Sequence, residues 1–224
     1  RAAWGEPEWR AWGLAGWLSS DLTVEALTGF AGRPAVVAHC AGAGSVGFSF
    51  QHPAVDFQST VGTLVPVLDY LRLRSPESRL IYPSSAAVYG EAECQPISEE
   101  APLRPASPYG AHKAMAEQLC ASYARHFWLN VAVIRYFSLY GPHLRKQLVW
   151  DACLKFSQGE ARFQGTGAEV RDWLHVTDAA SLLRLAADQA GPKAPVFNGA
   201  SGVGTSVRAV LAMLRTAFPN APEP

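Results

Sequence analysis

Two stretches, Ser84-Ser85-Ala86-Ala87-Val88-Tyr89-Gly90 and Ser107-Pro108-Tyr109-Gly110-Ala111-His112-Lys113, decide how this chain folds. The first follows a short apolar run, Leu80-Ile81-Tyr82, which reads as a buried strand. The second reads as a helix start. Ser107 suits the N-cap, Pro108 suits the first helical position, and Ala114-Met115-Ala116-Glu117-Gln118-Leu119 behind them is rich in helix formers. A hydroxyl at the carboxyl end of such a strand stands where open α/β sheets bind ligands. Tyr109 and Lys113 are i and i+4 and so share one helix face. A free phenol titrates near ~10 and is a poor base at neutral pH, whereas a neighbouring ammonium favours the phenolate. Ser85, Tyr109 and Lys113 are therefore the candidate catalytic set. The plain alternative is an exposed Tyr–Lys helix pair and an ordinary strand-end turn. The ordered combination, on a strand end and then a helix start, disfavours it.

Working outward, strand and helix patterns alternate. Strands are predicted over 34–41, 79–83 and 131–136. Helices are predicted over 55–72 with Pro66 as a kink, 108–127, 148–157, 177–189 capped by Thr177, and 206–218. This alternation implies a parallel sheet covered on both faces. The 91–108 stretch, rich in Pro, Glu and Ser, reads as a surface loop beside the site, and the 219–224 tail as loose.

The composition is that of an ordinary globular domain. The 224 residues include 19 basic and 19 acidic side chains and are 49% hydrophobic. That balance gives no electrostatic footprint for nucleic acid or an anionic membrane. No apolar stretch approaches the ~18 residues of a membrane span, and Arg1-Ala2-Ala3-Trp4-Gly5 has no signal-peptide core. Cys40, Cys94, Cys120 and Cys153 are widely spaced, as expected of reduced thiols in the cytoplasm, and Cys40 reads as a small buried hydrophobe. The six histidines show no metal-ligand spacing, so no metal is expected.

At the Ser85 and Tyr109 segments the chain resembles the extended short-chain dehydrogenase/reductases, in particular the NAD-dependent epimerase/dehydratase family with members like UDP-glucose 4-epimerase. Further segments carry the resemblance in the family's order. They are Ser20-Asp21-Leu22, Val37-Ala38-His39-Cys40-Ala41-Gly42, Ile134-Arg135-Tyr136-Phe137-Ser138-Leu139-Tyr140-Gly141-Pro142, Arg171-Asp172-Trp173-Leu174-His175 and Val196-Phe197-Asn198-Gly199, the last resembling a late strand of the substrate-binding part. The resemblance implies a Rossmann-like, doubly wound parallel sheet over 1–142 and a small, interleaved substrate-binding part over 143–224. It implies NAD as cofactor, with NADP left open. Cofactor contacts would come from Asp21, Leu22, Cys40, Ala41, Gly42, Ser59, Tyr109, Lys113, Tyr136 and Phe137. A nucleotide-diphosphate sugar would meet Ser85, Ala86, Ser138, Gln147, Phe163 and Arg171. The family also implies a homodimer through helices 55–72 and 108–127. Ala86 and Ala87 stand where related dehydratases carry Asp-Glu, which points to a 4-epimerase. Ser138 replaces the family's Asn, and Gly44 a Lys found in some epimerases.

Gly42-Ala43-Gly44-Ser45-Val46-Gly47 matches the G-x-G-x-x-G of a dinucleotide phosphate loop. It lies too close to the Ser85 and Tyr109 segments to leave room for the intervening strands, so it is assigned to the fourth-strand loop. The family's phosphate loop then falls before Arg1, and the expectation is an N-terminally incomplete sheet that binds NAD weakly or not at all. Two other readings stay open: an NAD(P)-dependent sugar reductase or dehydrogenase of the same family, and a truncated binding module without turnover.

Overall fold

The computed structural model describes residues 10–92 and 94–223. The Arg1–Gly5 stretch read above for a signal peptide lies outside them. Helix α1 (Val24–Ala31) leads to β1 (Val36–Ala38), followed by α2 (Val46–Gln51), α3 (Pro53–Phe57), a π-helical turn (Gln58–Gly62) and α4 (Leu64–Arg74). Next come β2 (Arg79–Ser85), one 3-10 turn (Ala86–Val88), α5 (Pro108–Phe127), β3 (Asn130–Tyr136) and β4 (Ser138–Tyr140). The remainder is α6 (Gln147–Ser157), β5 (Val170–His175), α7 (Val176–Gln189), β6 (Val196–Gly199), β7 (Gly204–Ser206) and α8 (Val207–Arg215).

Strands β1, β2, β3 and β6 form a parallel sheet in that spatial order. The period-2 alternation of β2 and β3 feeds two cores. Leu80, Tyr82, Val131 and Val133 face α4 and α5, meeting Leu64, Leu68, Leu71, Ala116 and Cys120. Ile81, Ala132 and Ile134 face the other way, onto Ala179, Ala186 and Ala187 of α7. The sheet is thus covered on both faces, as the near-continuous apolar β3 run Val131-Ala132-Val133-Ile134 requires. A second sheet, β4-β5-β7, carries α6 and α8.

Several expectations are corrected. The Val196–Gly199 strand pairs in parallel with β3 in the first sheet, not in the substrate-binding part. The 34–41 strand is confined to Val36–Ala38, and Cys40, in the loop beyond it, is exposed rather than buried. The 55–72 helix is broken before Pro66, where Thr63 N–H bonds Gln58 C=O at 3.1 Å. Pro66 lacks the N–H that would continue the ladder to residue 62, so the slip to longer bonds falls just upstream of it. The cap of α7 is His175, whose Nδ1 faces the Thr177 N–H and hydroxyl, in place of Thr177. The last helix stops at Arg215. The tail is not loose: Ala221 is buried against α6 and α8, and Arg215 Nε bonds its carbonyl at 3.2 Å.

One buried ion pair ties four elements together. Arg135 on β3 meets Glu117 on α5 through Nη2 at 2.7 Å and Nε at 3.1 Å. Arg135 Nη1 also donates to the Tyr89 hydroxyl at 3.0 Å and to the Glu99 carbonyl at 2.8 Å. Tyr89 in turn donates to Asn198 Oδ1 on β6 at 2.7 Å, and Ser84 of β2 donates to Glu117. At the end of β1, His39 is buried, stacked on Tyr82 with ring centroids 6.1 Å apart, and its Nε2 lies 3.3 Å from the Thr63 hydroxyl. Burial first, and the Lys113 charge second, lower its pKa from 6.5 to about 4.

Two expectations follow for stability. Glu117→Leu strands a buried guanidinium and should cost about 3–5 kcal/mol in urea unfolding, with Glu117→Leu/Arg135→Met recovering part of the loss. His39 has a folded pKa below its unfolded one, so its contribution is complete above about pH 6.5 and is lost as the pH falls towards 4. Its size is about 3 kcal/mol, and His39→Gln should flatten that part of the urea-midpoint-against-pH curve.

Candidate active site

The cleft is assembled where β2 ends and α5 begins. Ser85 closes β2 opposite Tyr136 of β3, and its Oγ accepts the Ala87 N–H at 3.2 Å, capping the 3-10 turn. Ser107 Oγ accepts the Gly110 N–H at 3.1 Å and starts α5 as the N-cap chemistry requires. Gly110 fixes the spacing between the two segments: a Cβ there would stand 2.4 Å from the Ala87 carbonyl oxygen. Only a glycine lets the helix start rest directly on the turn that carries Ser85. The Tyr109 N–H donates to Ser49 Oγ of α2 at 3.1 Å, which orients the first turn of α5.

The three predicted catalytic residues sit at one junction, Ser85 at the end of β2 and Tyr109 and Lys113 on the first turns of α5. The Tyr109 phenol is pushed up by burial, pulled down by a hydrogen bond with Ser85, and pushed up again by the Asp56 charge. It is therefore a protonated phenol at neutral pH. Lys113 is buried, its Nζ donating to the Pro83 carbonyl at 2.9 Å and lying 4.9 Å from the Tyr82 ring centroid. Burial lowers it to about 8 against the opposing pull of Cys40, Asp56 and Glu117. The expected depression of the phenol by Lys113 does not appear: desolvation is the largest cause acting on Tyr109, and the ammonium is committed to the β2 backbone.

The cofactor-side residues converge on Lys113. Gly42 has φ +144°, and a Cβ there would lie 3.8 Å from each of Lys113 Nζ, the Ser59 carbonyl oxygen and Thr60 Oγ1. Ala41 lies between Gly42 and Cys40, whose field raises both Lys113 and Tyr136. The Tyr136 hydroxyl itself is engaged with the Ala179 carbonyl at 2.7 Å. The Gly42–Gly47 stretch runs into the six-residue helix α2, which begins at Val46.

The other predicted residues lie on several elements. Leu22 packs under α1 against the first core, with Asp21 exposed beside it. Phe137 packs with Val88, Tyr89 and Ala114, and Ala86 opens the 3-10 turn. Ser138 pairs with Trp173 in the second sheet, and Arg171 is exposed on β5 opposite Thr205. Asp172 beside it accepts from the Ser201 and Gly202 N–H groups. Gln147 begins α6 with φ +69°. Phe163 sits in the apolar cluster of α6 and α8, its ring 5.6 Å from Phe156, and is not brought to the triad.

Sequence reasoning missed two sets of residues. The Glu117 carboxylate lies one further turn along the Tyr109–Lys113 face, and that i, i+4, i+8 spacing was its available signal. Asp56 and His112, joined at 2.6 Å, are 56 positions apart and gave none.

A sequence profile of the NAD dependent epimerase/dehydratase family matches residues 12–200. The UDP-glucose 4-epimerase of Corynebacterium glutamicum is 32% identical over 216 residues, which cover 88% of this chain and 64% of that protein. The UDP-glucose 4-epimerase of Thermotoga maritima, solved with UDP-glucose, superposes with a TM-score of 0.82 at 27% identity, over 90% of this chain and 66% of that one. The Thermus thermophilus UDP-glucose 4-epimerase, solved with NAD, gives 0.80 at 28% identity, over 89% and 66%. The chain spans just under two thirds of the length of each of these relatives. With the strand order, the triad and the profile in agreement, the chain belongs to the NAD dependent epimerase/dehydratase family.

Proposed function

We propose that this chain carries the acid–base centre of a nucleotide-sugar 4-epimerase that works with bound NAD. The observation that carries the reading is the junction of the β2 end that carries Ser85 with the start of α5 that carries Tyr109 and Lys113, where Gly110 rests on the Ala87 carbonyl and Lys113 Nζ bonds the Pro83 carbonyl, with alanines at 86 and 87. Without a carboxylate after Ser85, water elimination has no acid or base in that position. The relatives named for 4-epimerisation favour the same choice.

The residues present fit the nicotinamide half of NAD. Gly42 leaves space beside Lys113, and Thr60 Oγ1 there is buried with no hydrogen-bond partner, a hydroxyl awaiting a polar ligand. Lys113, Ser59 and Gly42, with Cys40, Ala41, Tyr136 and Phe137 around them, would hold that half, and Asp21 and Leu22 would lie on the adenine side. Bound NAD supplies a hydride acceptor that returns the hydride within each turnover. Tyr109, once ionised, would take the proton from the sugar hydroxyl and later return it to the same oxygen, while NAD would supply the place for the hydride. Ser85, at the strand end beside the start of α5, would steady the reacting oxygen. Lys113, one helix turn from Tyr109 on the same face, would favour the phenolate against the desolvation that raises it.

A division near residue 142 suits this scheme, with 1–142 forming the nucleotide side and 143–224 the sugar side, although β6 and α7 return to the first sheet. Ser85, Ala86, Ser138, Gln147 and Arg171 would meet the nucleotide-diphosphate sugar, Arg171 through its guanidinium fork. A cytoplasmic location is supported by four unpaired cysteines, and no described helix is long and apolar enough to cross a membrane. A homodimer is supported by Val55, Phe57, Val65 and Met115, exposed apolar side chains on α3, α4 and α5.

Tyr109→Phe should lower turnover of a UDP-sugar by about 10²–10⁴-fold, measured by coupled assay of the product epimer, and wild-type turnover would remove the proposed base. Reduced-nicotinamide absorbance should show no net change during epimerisation, whereas stoichiometric change would favour the dehydrogenase reading. Light scattering should give twice the chain mass for the wild type and the single mass for Met115→Glu; a monomeric wild type at tens of micromolar would exclude the dimer.

A further inference from the structure

Helix α2 reaches the body of the molecule through a serine. Among its six residues only Ser49 is buried, and it is buried completely. Val46, Phe48 and Phe50 are exposed, and a Cβ built on Gly47 would meet nothing within 4 Å. A helix this short depends on packing for its place, and none of its apolar side chains is buried. The Ser49 hydroxyl donates to the Val46 carbonyl at 2.7 Å and accepts the Tyr109 N–H at 3.1 Å.

The Tyr109 N–H is a donor that α5 cannot satisfy by itself, since the first N–H groups of a helix have no partner within it. Pro108 has no N–H to place. The Gly110 N–H goes to Ser107 Oγ at 3.1 Å, and the Ala111 N–H to the Ser107 carbonyl at 2.9 Å. The remaining donor of the first turn is that of Tyr109, and Ser49 takes it from another element. Upstream, α2 grows directly out of the loop that begins at Gly42, and Ser45 caps it by accepting the Phe48 N–H at 3.2 Å. One buried hydroxyl therefore joins the loop on the cofactor side to the backbone of Tyr109.

We propose that Ser49 is a positioning residue for the acid–base group: it docks α2, and the loop before it, on the start of α5 and so fixes where the Tyr109 phenol stands. The role rests on the reading of Tyr109 as that group. Ser49 touches neither substrate nor cofactor in this scheme and acts through the Tyr109 N–H alone. Without it, α5 is still held to α3 by His112 and Asp56 at 2.6 Å and to β3 by Glu117 and Arg135 at 2.7 Å, so the helix stays while its first turn loosens.

The test is made on the full chain by NMR, with 15N-labelled backbone and 13C-labelled tyrosine rings, Tyr109→Phe assigning the ring signal. Ser49→Ala should speed amide exchange at Tyr109 by about tenfold. The Ser49 and His52 amides, bonded inside α2 to the Ser45 and Phe48 carbonyls, should lose protection with it. The Tyr109 ring signal should move while that of Tyr123, near the far end of α5, stays in place. Ser49→Thr, which keeps the hydroxyl, should return all of these towards wild type. If Ser49→Ala does not fold, Ser49→Cys, similar in size and a poor acceptor, takes its place. Unchanged exchange and an unmoved Tyr109 ring in the folded variant overturn the proposal. These signals need no substrate. With a UDP-sugar, Ser49→Ala should lower kcat by about 10²-fold with KM little changed, and wild-type kcat beside a displaced Tyr109 ring also overturns it. A wild-type chain that does not epimerise sinks the functional reading, while the Tyr109 signals still decide whether Ser49 holds that residue.

Discussion

The buried Glu117–Arg135 pair is the constraint on which the rest of the structure depends. A guanidinium and a carboxylate taken out of water are tolerable only when both are fully bonded, and here nearly every donor and acceptor is used. The partners come from β2, α5, β3, β6 and the 97–99 part of the loop, so satisfying one ion pair fixes five pieces of chain relative to one another. Hydrophobic burial alone is non-directional and would tolerate sliding of α5 along the sheet. The ion pair does not, and the helix that carries Glu117 carries Lys113 one turn earlier and Tyr109 two turns earlier. Register in the core and alignment in the cleft are the same quantity.

Within the cleft, desolvation governs the charges. It drives Lys113 down and Tyr109 up, in opposite directions on the charge scale but towards the same result, a neutral interior. The Pro83 carbonyl and the Tyr82 ring offset part of that for the ammonium. The phenol has the Ser85 hydroxyl for the same purpose. Ser85 is the cap of a turn, and Gly110 is what lets the start of α5 rest on that turn.

Much of this was legible in the sequence because it is local. Ser107 and Pro108 place the start of α5 without reference to the rest of the molecule, and the predicted 108–127 helix matches Pro108–Phe127. The triad follows from i, i+4 spacing and a strand end. What escaped was non-local or decided by competition. The meeting of Asp56 with His112 depends on how α3 is turned against α5. The exposure of Cys40 depends on β1 being three residues long. The tail at Ala221 is held by α6 and α8, which its own Pro-rich composition gives no hint of. For β6, a four-residue apolar strand fits either sheet by pattern alone, and its pairing with β3 is settled by Tyr89, Asn198 and Glu99.

The placement of β6 has a kinetic consequence. The chain completes β3, leaves to build β4, α6 and β5, and only then returns to lay β6 beside Val133–Tyr136. Pairing residues some sixty positions apart means closing a long loop before the contact rewards it, and topologies of this kind fold slowly. The edge of β3 stays open meanwhile, with an apolar run exposed along it. This protein should pass through its period of greatest aggregation risk late in folding, after both sheets have begun to form and before the fourth strand seals the first.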